Sequence, residues 1–381
     1  MTAGTQALEE TGQQGVGRGI VDCDVHPYFK NGLNDLTPYM SKSWQRKLGI
    51  GLDDSWTKNF AASQYMLPLD YLYINSAGAT RRDSSPDGGM PGSDPDFMAR
   101  QLLDAHNISR AILIAGHLFG IGAFPDPEVS ATVASAYNDW MQELWLEHDP
   151  RYRGALVVPP QHPEAAMREI DRAGDRPGMV AIYLPLHDIA MGEMHYYPIY
   201  EAAQRHSLPI ITHVSGTESV FARAPRLALQ PTYYLEWHTG LGQVHQSNVM
   251  SMLCHGVFEK FPELKLCIAE GGFMWAIETM LKLDRDWLGL RDEVPWVKRP
   301  PSEYLREHIR FTTQPFVEPH KKEHLGAIMD MIYADETLLF SSDYPHWDFD
   351  DPQKALSGVP DELRRKICVD NGWALFGDRL S

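Results

Sequence analysis

The sequence predicts an α/β protein of the (β/α)8 TIM-barrel class, with long loop insertions at the C-terminal mouth, on three observations. Eight short runs rich in Val, Ile and Leu recur along the 381 residues, and most are followed by a stretch of helical period. Neither GxGxxG nor GxxxxGK[ST] follows any run, which removes the usual signatures of an open, doubly wound sheet. Polar residues instead end the first, fifth, sixth and eighth runs, and strand ends so far apart in the chain converge only if the sheet closes.

The first run, Ile20 to Val25, is interleaved with Asp22 and Asp24 and followed by His26. A spacing of two is the strand period, so the three polar side chains point to one side, and Pro27 stops the ladder. Residues 1–17, rich in Gly, Gln and Thr, read as a disordered tail, which leaves 18–381 as a single barrel domain. Residues 30–93 show no regular period and read as a long excursion over the mouth. A helix at 97–106 precedes a strand at 110–116. The pattern over 128–148 is amphipathic, with Val133, Tyr137, Trp140, Met141, Leu144 and Trp145 on one face. Strands follow at 154–158, 179–184, 209–213, 264–270, 309–313 and 337–343. Helical patterns at 162–173, 197–206, 243–260, 272–285 and 319–333 separate them, and 367–376 reads as the helix that seals the barrel.

Composition narrows the function. Acidic residues outnumber basic ones 51 to 34, for a net charge of −17, which argues against nucleic acid or an anionic membrane surface as a partner. No apolar run reaches the ~20 residues of a membrane span, and the first residues lack the pattern of a signal peptide. The four cysteines are scattered with no CxxC pair, which fits a reducing, cytoplasmic setting. Insertions at 217–242 and 286–306 are rich in Trp, Tyr and Pro, too apolar for free loops, and predict a homodimer.

Chemistry concentrates where strands end. Ile210-Ile-Thr-His213 brings an imidazole to a Gly turn, and Leu338-Leu-Phe-Ser-Ser-Asp343-Tyr-Pro-His346-Trp-Asp348 ends a strand on a carboxylate and breaks it with Pro. A lone His in such a place is more often structural, and a lone Asp is often a helix cap. Three strand ends carrying both types are what a metal site requires.

These motifs, with His255-Gly-Val-Phe-Glu-Lys-Phe-Pro-Glu-Leu-Lys before the sixth strand, resemble the amidohydrolase superfamily. Within it they are similar to the amidohydrolase-2 branch that includes aminocarboxymuconate-semialdehyde decarboxylase. The resemblance implies a (β/α)8 barrel with one divalent ion at the mouth, its ligands falling on Asp24, His26, His213 and Asp343. The leading position of the first-strand pair is most often His, or Glu in some decarboxylases; Asp24 makes the site harder, with zinc expected first and manganese or iron compatible. Where similar decarboxylases read Ala-His-Gly-Gly after the sixth strand, this chain reads Ala269-Glu270-Gly271-Gly272.

Glu270 or Asp343 is expected to take a proton from metal-bound water, with His255 as a further acid/base candidate. His346, Trp275, Phe273 and Trp237 are expected to touch the substrate in an apolar or aromatic pocket, and Arg81, Arg223 and Arg226 are loop cations available to a carboxylate. Asp22 is expected to make a buried hydrogen bond below the metal. The resulting expectation is a metal-dependent hydrolase acting on a small aromatic or cyclic amide or ester. The alternative is non-oxidative decarboxylation of an aromatic or unsaturated acid. A barrel that binds a small molecule without turnover is disfavoured by the intact ligand set.

Overall fold

The computed structural model describes residues 18–50, 80–87, 89–219, 221–228 and 230–381. The expected tail over 1–17 and the middle of the 30–93 excursion lie outside the described residues. Eight parallel strands pair in sequence order: β1 Ile20–Val25, β2 Ile108–Leu113, β3 Tyr152–Val157, β4 Met179–Tyr183, β5 Ile210–His213, β6 Leu266–Ala269, β7 Ile309–Thr312 and β8 Leu338–Leu339. The edges then meet. The Cys23 N–H donates to Phe340 O (2.9 Å), the His26 N–H to Tyr344 O (2.8 Å) and the Asp343 N–H to Asp24 O (3.0 Å). The expected strand 337–343 is short as a ladder because, past Leu339, its backbone bonds to β1.

β3 to β6 are buried at every residue. Strands covered inside by one another and outside by helices need continuous apolar sequence, which is why they read as Val/Ile/Leu runs. Asp126 caps the helix Pro127–Met141 by accepting the Glu128 N–H (3.0 Å), and Pro127 occupies its first turn. That helix continues to Leu146 in a wider π-type turn, and of the six residues expected on its apolar face Leu144 alone is exposed. Asn138 takes both the N–H and the C=O of Val157 (2.9 Å each), locking the helix to the mouth end of β3. The helix expected over 243–260 breaks: Gly242–Cys254 ends before Gly256, whose φ is +68°, and Val257–Lys260 follows.

At the opposite face, the Trp373 indole donates to Gly19 O (3.3 Å) and the Arg153 guanidinium to Leu380 O (3.0 Å), so the C-terminal segment covers the N-terminal ends of the strands as expected. The described part of the 217–242 insertion packs part of its apolar surface against the barrel's loops, while Tyr233 and Leu235 stay exposed. Phe221, Leu227, Trp237 and Leu241 are buried in a second apolar cluster with Leu186, Val214 and Val244. In the 286–306 insertion Leu288, Leu290 and Trp296 remain exposed.

Candidate metal centre and active site

At the C-terminal ends of the strands, one ligand atom from each of Asp24, His26, His213 and Asp343 lies within 4.8 Å of the other three, and all four residues are buried. His26 Nε2 is 3.2 Å from Asp24 Oδ1 and 2.9 Å from Asp343 Oδ1, and His213 Nε2 is 3.4 Å from Asp24 Oδ2. The remote ring nitrogens are anchored: His26 Nδ1 on Ile114 O (3.1 Å) and His213 Nδ1 on Val214 O (2.6 Å). A carbonyl only accepts, so each Nδ1 carries the proton, and second contacts of this kind are how metal-bound imidazoles are oriented. Burial, with His346 and His213 nearby, pushes the His26 pKa well below the usual range. Its neutral ring therefore turns an Nε2 lone pair toward two carboxylates, a repulsive arrangement unless a cation lies between them.

His213 reports the same demand from the other side. Burial lowers its pKa, but the Asp24 and Glu270 carboxylates outweigh that and the balance is upward, so the surroundings favour positive charge there. Both oxygens of Asp24, Asp343 Oδ2 and His213 Nε2 are buried without a hydrogen-bond partner. Such orphans are rare in folded proteins, and two carboxylates with two imidazoles are a donor set suited to a divalent ion. The residues fit a metal.

Glu270 stands beside this set. Its Oε2 is 3.2 Å from His213 Nε2 and its Oε1 is 4.0 Å from His238 Nε2, whose own partner is Asp348 Oδ2 at 3.1 Å. Burial, then the charge of Asp343, pushes the Glu270 pKa well above the carboxylate range, with His213 pulling the other way. Asp343 is also raised, by burial and then by Asp348 and Asp24. Glu270 and Asp343 both hold left-handed backbone, at φ +50° and +60°. That costs a non-glycine residue ~1–3 kcal/mol and persists where the surroundings fix it, commonly at functional sites. Phe119 stacks on His213 at 4.3 Å and meets His26 edge-on at 4.9 Å, closing one wall.

The sequence profile of the family described as Amidohydrolase matches residues 21–377. The chain belongs to the amidohydrolase-2 family. Among its relatives is γ-resorcylate decarboxylase of Polaromonas sp., 26% identical over 298 residues that cover 72% of this chain and 85% of the relative. Among solved structures, an amidohydrolase from Mycobacterium avium subsp. paratuberculosis superposes with a TM-score of 0.67 at 22% identity, covering 95% of this chain and 99% of that one. A dihydroxybenzoic acid decarboxylase from Polaromonas sp., with bound manganese and the inhibitor 2-nitroresorcinol, superposes with a TM-score of 0.63 at 21% identity, covering 94% and 97%. At those identities the structural likeness establishes the barrel fold.

The other expected residues separate clearly. Asp22 accepts the Ser342 N–H at 2.9 Å, tying β1 to the loop after β8, and burial pushes its carboxyl up to about 7. His346 joins the site, its Nδ1 2.6 Å from Asp343 Oδ1. His255 does not: it is exposed, at the end of the helix Gly242–Cys254 that leads toward the start of β6, on the side of the barrel away from the mouth. Its expectation as an acid/base is corrected. Trp237 is buried in the second apolar cluster and donates to Glu218 Oε1 (3.2 Å). Phe273 is buried near Phe316, and Trp275 donates to Gly271 O and packs edge-on against Phe311, so both belong to the barrel wall. Arg81 is paired with Asp83 and lies over Phe349, Arg223 reaches Asp188, and Arg226 reaches Phe221 O.

Tyr28, Phe119, His238 and Asp348 also border the site, and no pattern in the sequence marks them for it. His245 is buried beside Gly271 with neither ring nitrogen partnered, its pKa pushed down to about 3 by burial and then by His213. The only sequence signal for His245 was an imidazole among the apolar positions of a helix that follows the fifth strand.

Proposed function

We propose that this protein is a metal-dependent, non-oxidative decarboxylase of a small aromatic acid. The likeness to γ-resorcylate decarboxylase over most of both chains carries the reading, and the chemistry of Glu270 agrees with it. A divalent ion held by Asp24, His26, His213 and Asp343 would bind oxygen atoms of the acid and stabilise negative charge on them. Manganese is the first ion to try because the structural neighbour binds it; zinc and iron suit the same donors.

Glu270 lies outside the four ligands with Oε2 3.2 Å from His213 Nε2, and its burial favours the neutral carboxyl that an acid requires. In the proposed step its proton adds to the ring carbon that bears the carboxylate, the C–C bond breaks, its electron pair returns to the ring, and CO2 leaves. Glu270 is then a carboxylate that must be reprotonated before the next turnover. Phe119, Tyr234 and Trp347 give the surroundings an aromatic character that accords with an aromatic ring. Hydrolysis is the weaker reading, because the relatives that align over most of this chain are decarboxylases and because burial opposes the charge that Glu270 would carry as a base. Incubation of the manganese-loaded protein with a panel of hydroxybenzoic acids should release CO2 from at least one; cleavage of amides or esters with no CO2 from any acid would overturn the proposal.

We also propose a homodimer, supported by the exposed Leu288, Leu290 and Trp296, with sedimentation as the test and a monomer at micromolar concentration as the contrary result. No helix among the described residues is long and apolar enough to cross a membrane. Four free cysteines support a reducing, cytoplasmic setting, which thiol titration of protein from its native host checks by finding all four unoxidised.

A further inference from the structure

Tyr28 lies two residues beyond His26 and outside the ligand set. Its hydroxyl oxygen is 2.8 Å from His346 Nε2, and His346 Nδ1 is 2.6 Å from Asp343 Oδ1. The direction of this chain of contacts follows from the groups. As a ligand to a cation Asp343 is a carboxylate and only accepts, so Nδ1 of His346 carries the proton; the neutral ring then has a lone pair on Nε2, and the Tyr28 O–H donates into it. His346 is 8% exposed, so water does not readily substitute for either partner.

The tyrosine ring sits in a slot made for it. A Cβ on Gly116 would come within 2.6 Å of Tyr28 Cζ, and one on Gly92, whose φ is +69°, within 3.0 Å of Tyr28 Cδ2 and 2.7 Å of His26 O. The Tyr28 N–H donates to Gly92 O at 2.8 Å, and His117 meets the ring edge-on at 4.8 Å. Two residues without side chains thus hold the ring, and the ring aims its hydroxyl.

We propose that Tyr28 is a positioning residue for the metal centre: through His346 it fixes the tautomer that holds Asp343 Oδ1. Without the hydroxyl, His346 is free to place its proton on Nε2. A lone pair on Nδ1 then faces the Asp343 oxygen, and the ligand loses its donor. Loss of a contact behind a metal ligand typically costs ~10- to 100-fold in metal affinity or activity. The inference rests on the ligand set of the proposed function but not on its reaction, so its test reads metal binding.

A double-mutant cycle separates positioning from packing. Tyr28→Phe keeps the ring in its slot and removes the hydroxyl. His346→Asn keeps a donor where Nδ1 stood and offers nothing to Tyr28. Mn2+ affinity of the stripped proteins, measured by competition with a fluorescent chelator, should fall ~10-fold for Tyr28→Phe, and by less than about twofold when the same change is added to His346→Asn. Gly116→Ala, which leaves both side chains but crowds the ring, should reproduce the loss, with thermal melting confirming that each variant is folded. Equal losses from Tyr28→Phe in both backgrounds, no loss in the first, or unchanged affinity in Gly116→Ala would each overturn the proposal. Release of CO2 by the unmodified protein is assayed apart, so a failed decarboxylase reading leaves the metal result standing.

Discussion

Replacing Glu270 by Gln isolates the proposed acid. Gln has the same shape and can hold the same left-handed backbone, at φ +50°, and the Glu270 N–H keeps its bond to the Thr312 hydroxyl (3.1 Å). The change is confined to the carboxyl, 3.2 Å from His213 Nε2. An amide in that place gives no proton to carbon. General acid catalysis is typically worth ~10²- to 10⁴-fold, which at ~1.36 kcal/mol per tenfold is about 2.7–5.4 kcal/mol of barrier. Because the proton moves only in the transition state, kcat and kcat/KM should fall together, and metal content should stay unchanged because Glu270 is outside the ligand set. The pH profile has a definite sign. Burial, then Asp343, raises the Glu270 pKa, so the active protonated form is complete at low pH and is lost as pH rises through that raised value. Hydrolysis with Glu270 as base requires the opposite slope. Initial rates of CO2 release across pH test both points. A kcat for Glu270→Gln within tenfold of the unmodified enzyme, or a profile that climbs with pH through the titration of Glu270, would refute the reasoning.

Two further outcomes are expected. His213→Ala and Asp343→Ala should each lose the divalent ion and the activity while circular dichroism still shows the barrel; elemental analysis finding near-stoichiometric metal in both would sink the ligand assignment. Gly122→Ala would put a Cβ 2.0 Å from the Leu186 carbonyl oxygen, a backbone atom that has no rotamer to escape into. Overpacking of this kind costs ~1–3 kcal/mol, so the melting temperature should drop, and an unchanged value would mean that the loop after β2 sits differently against the loop after β4.

The barrel was legible because each buried strand had to be an apolar run, and the candidate ligands because Asp24 and His26 stand two apart at the end of β1, His213 ends β5 and Asp343 follows β8. His255 misled because the pattern over 243–260 hides a break at Gly256, and a residue at that break lies before its strand, away from the mouth. Phe273 and Trp275 show that an aromatic side chain near a strand end is as readily wall as pocket. Tyr28 and His346 are 318 residues apart, and His238 and Asp348 are 110 apart, so no local period encodes either contact. Glu270 lies beside the candidate ligands at the end of β6, and its ionisation was not legible. Its burial is a property of the closed barrel, and the expectation of hydrolysis assumed a charged carboxylate that the fold disfavours.

In the proposed decarboxylation a proton replaces a carboxylate on carbon, and water oxygen never enters the organic product. This is tested most directly by turnover of a hydroxybenzoic acid in deuterated, ¹⁸O-labelled water, with headspace CO2 and the organic product analysed together by mass spectrometry. One deuterium at the carbon that lost its carboxylate, one CO2 per product and no ¹⁸O in the organic product is the predicted result. Organic product carrying ¹⁸O with no CO2 released would contradict it.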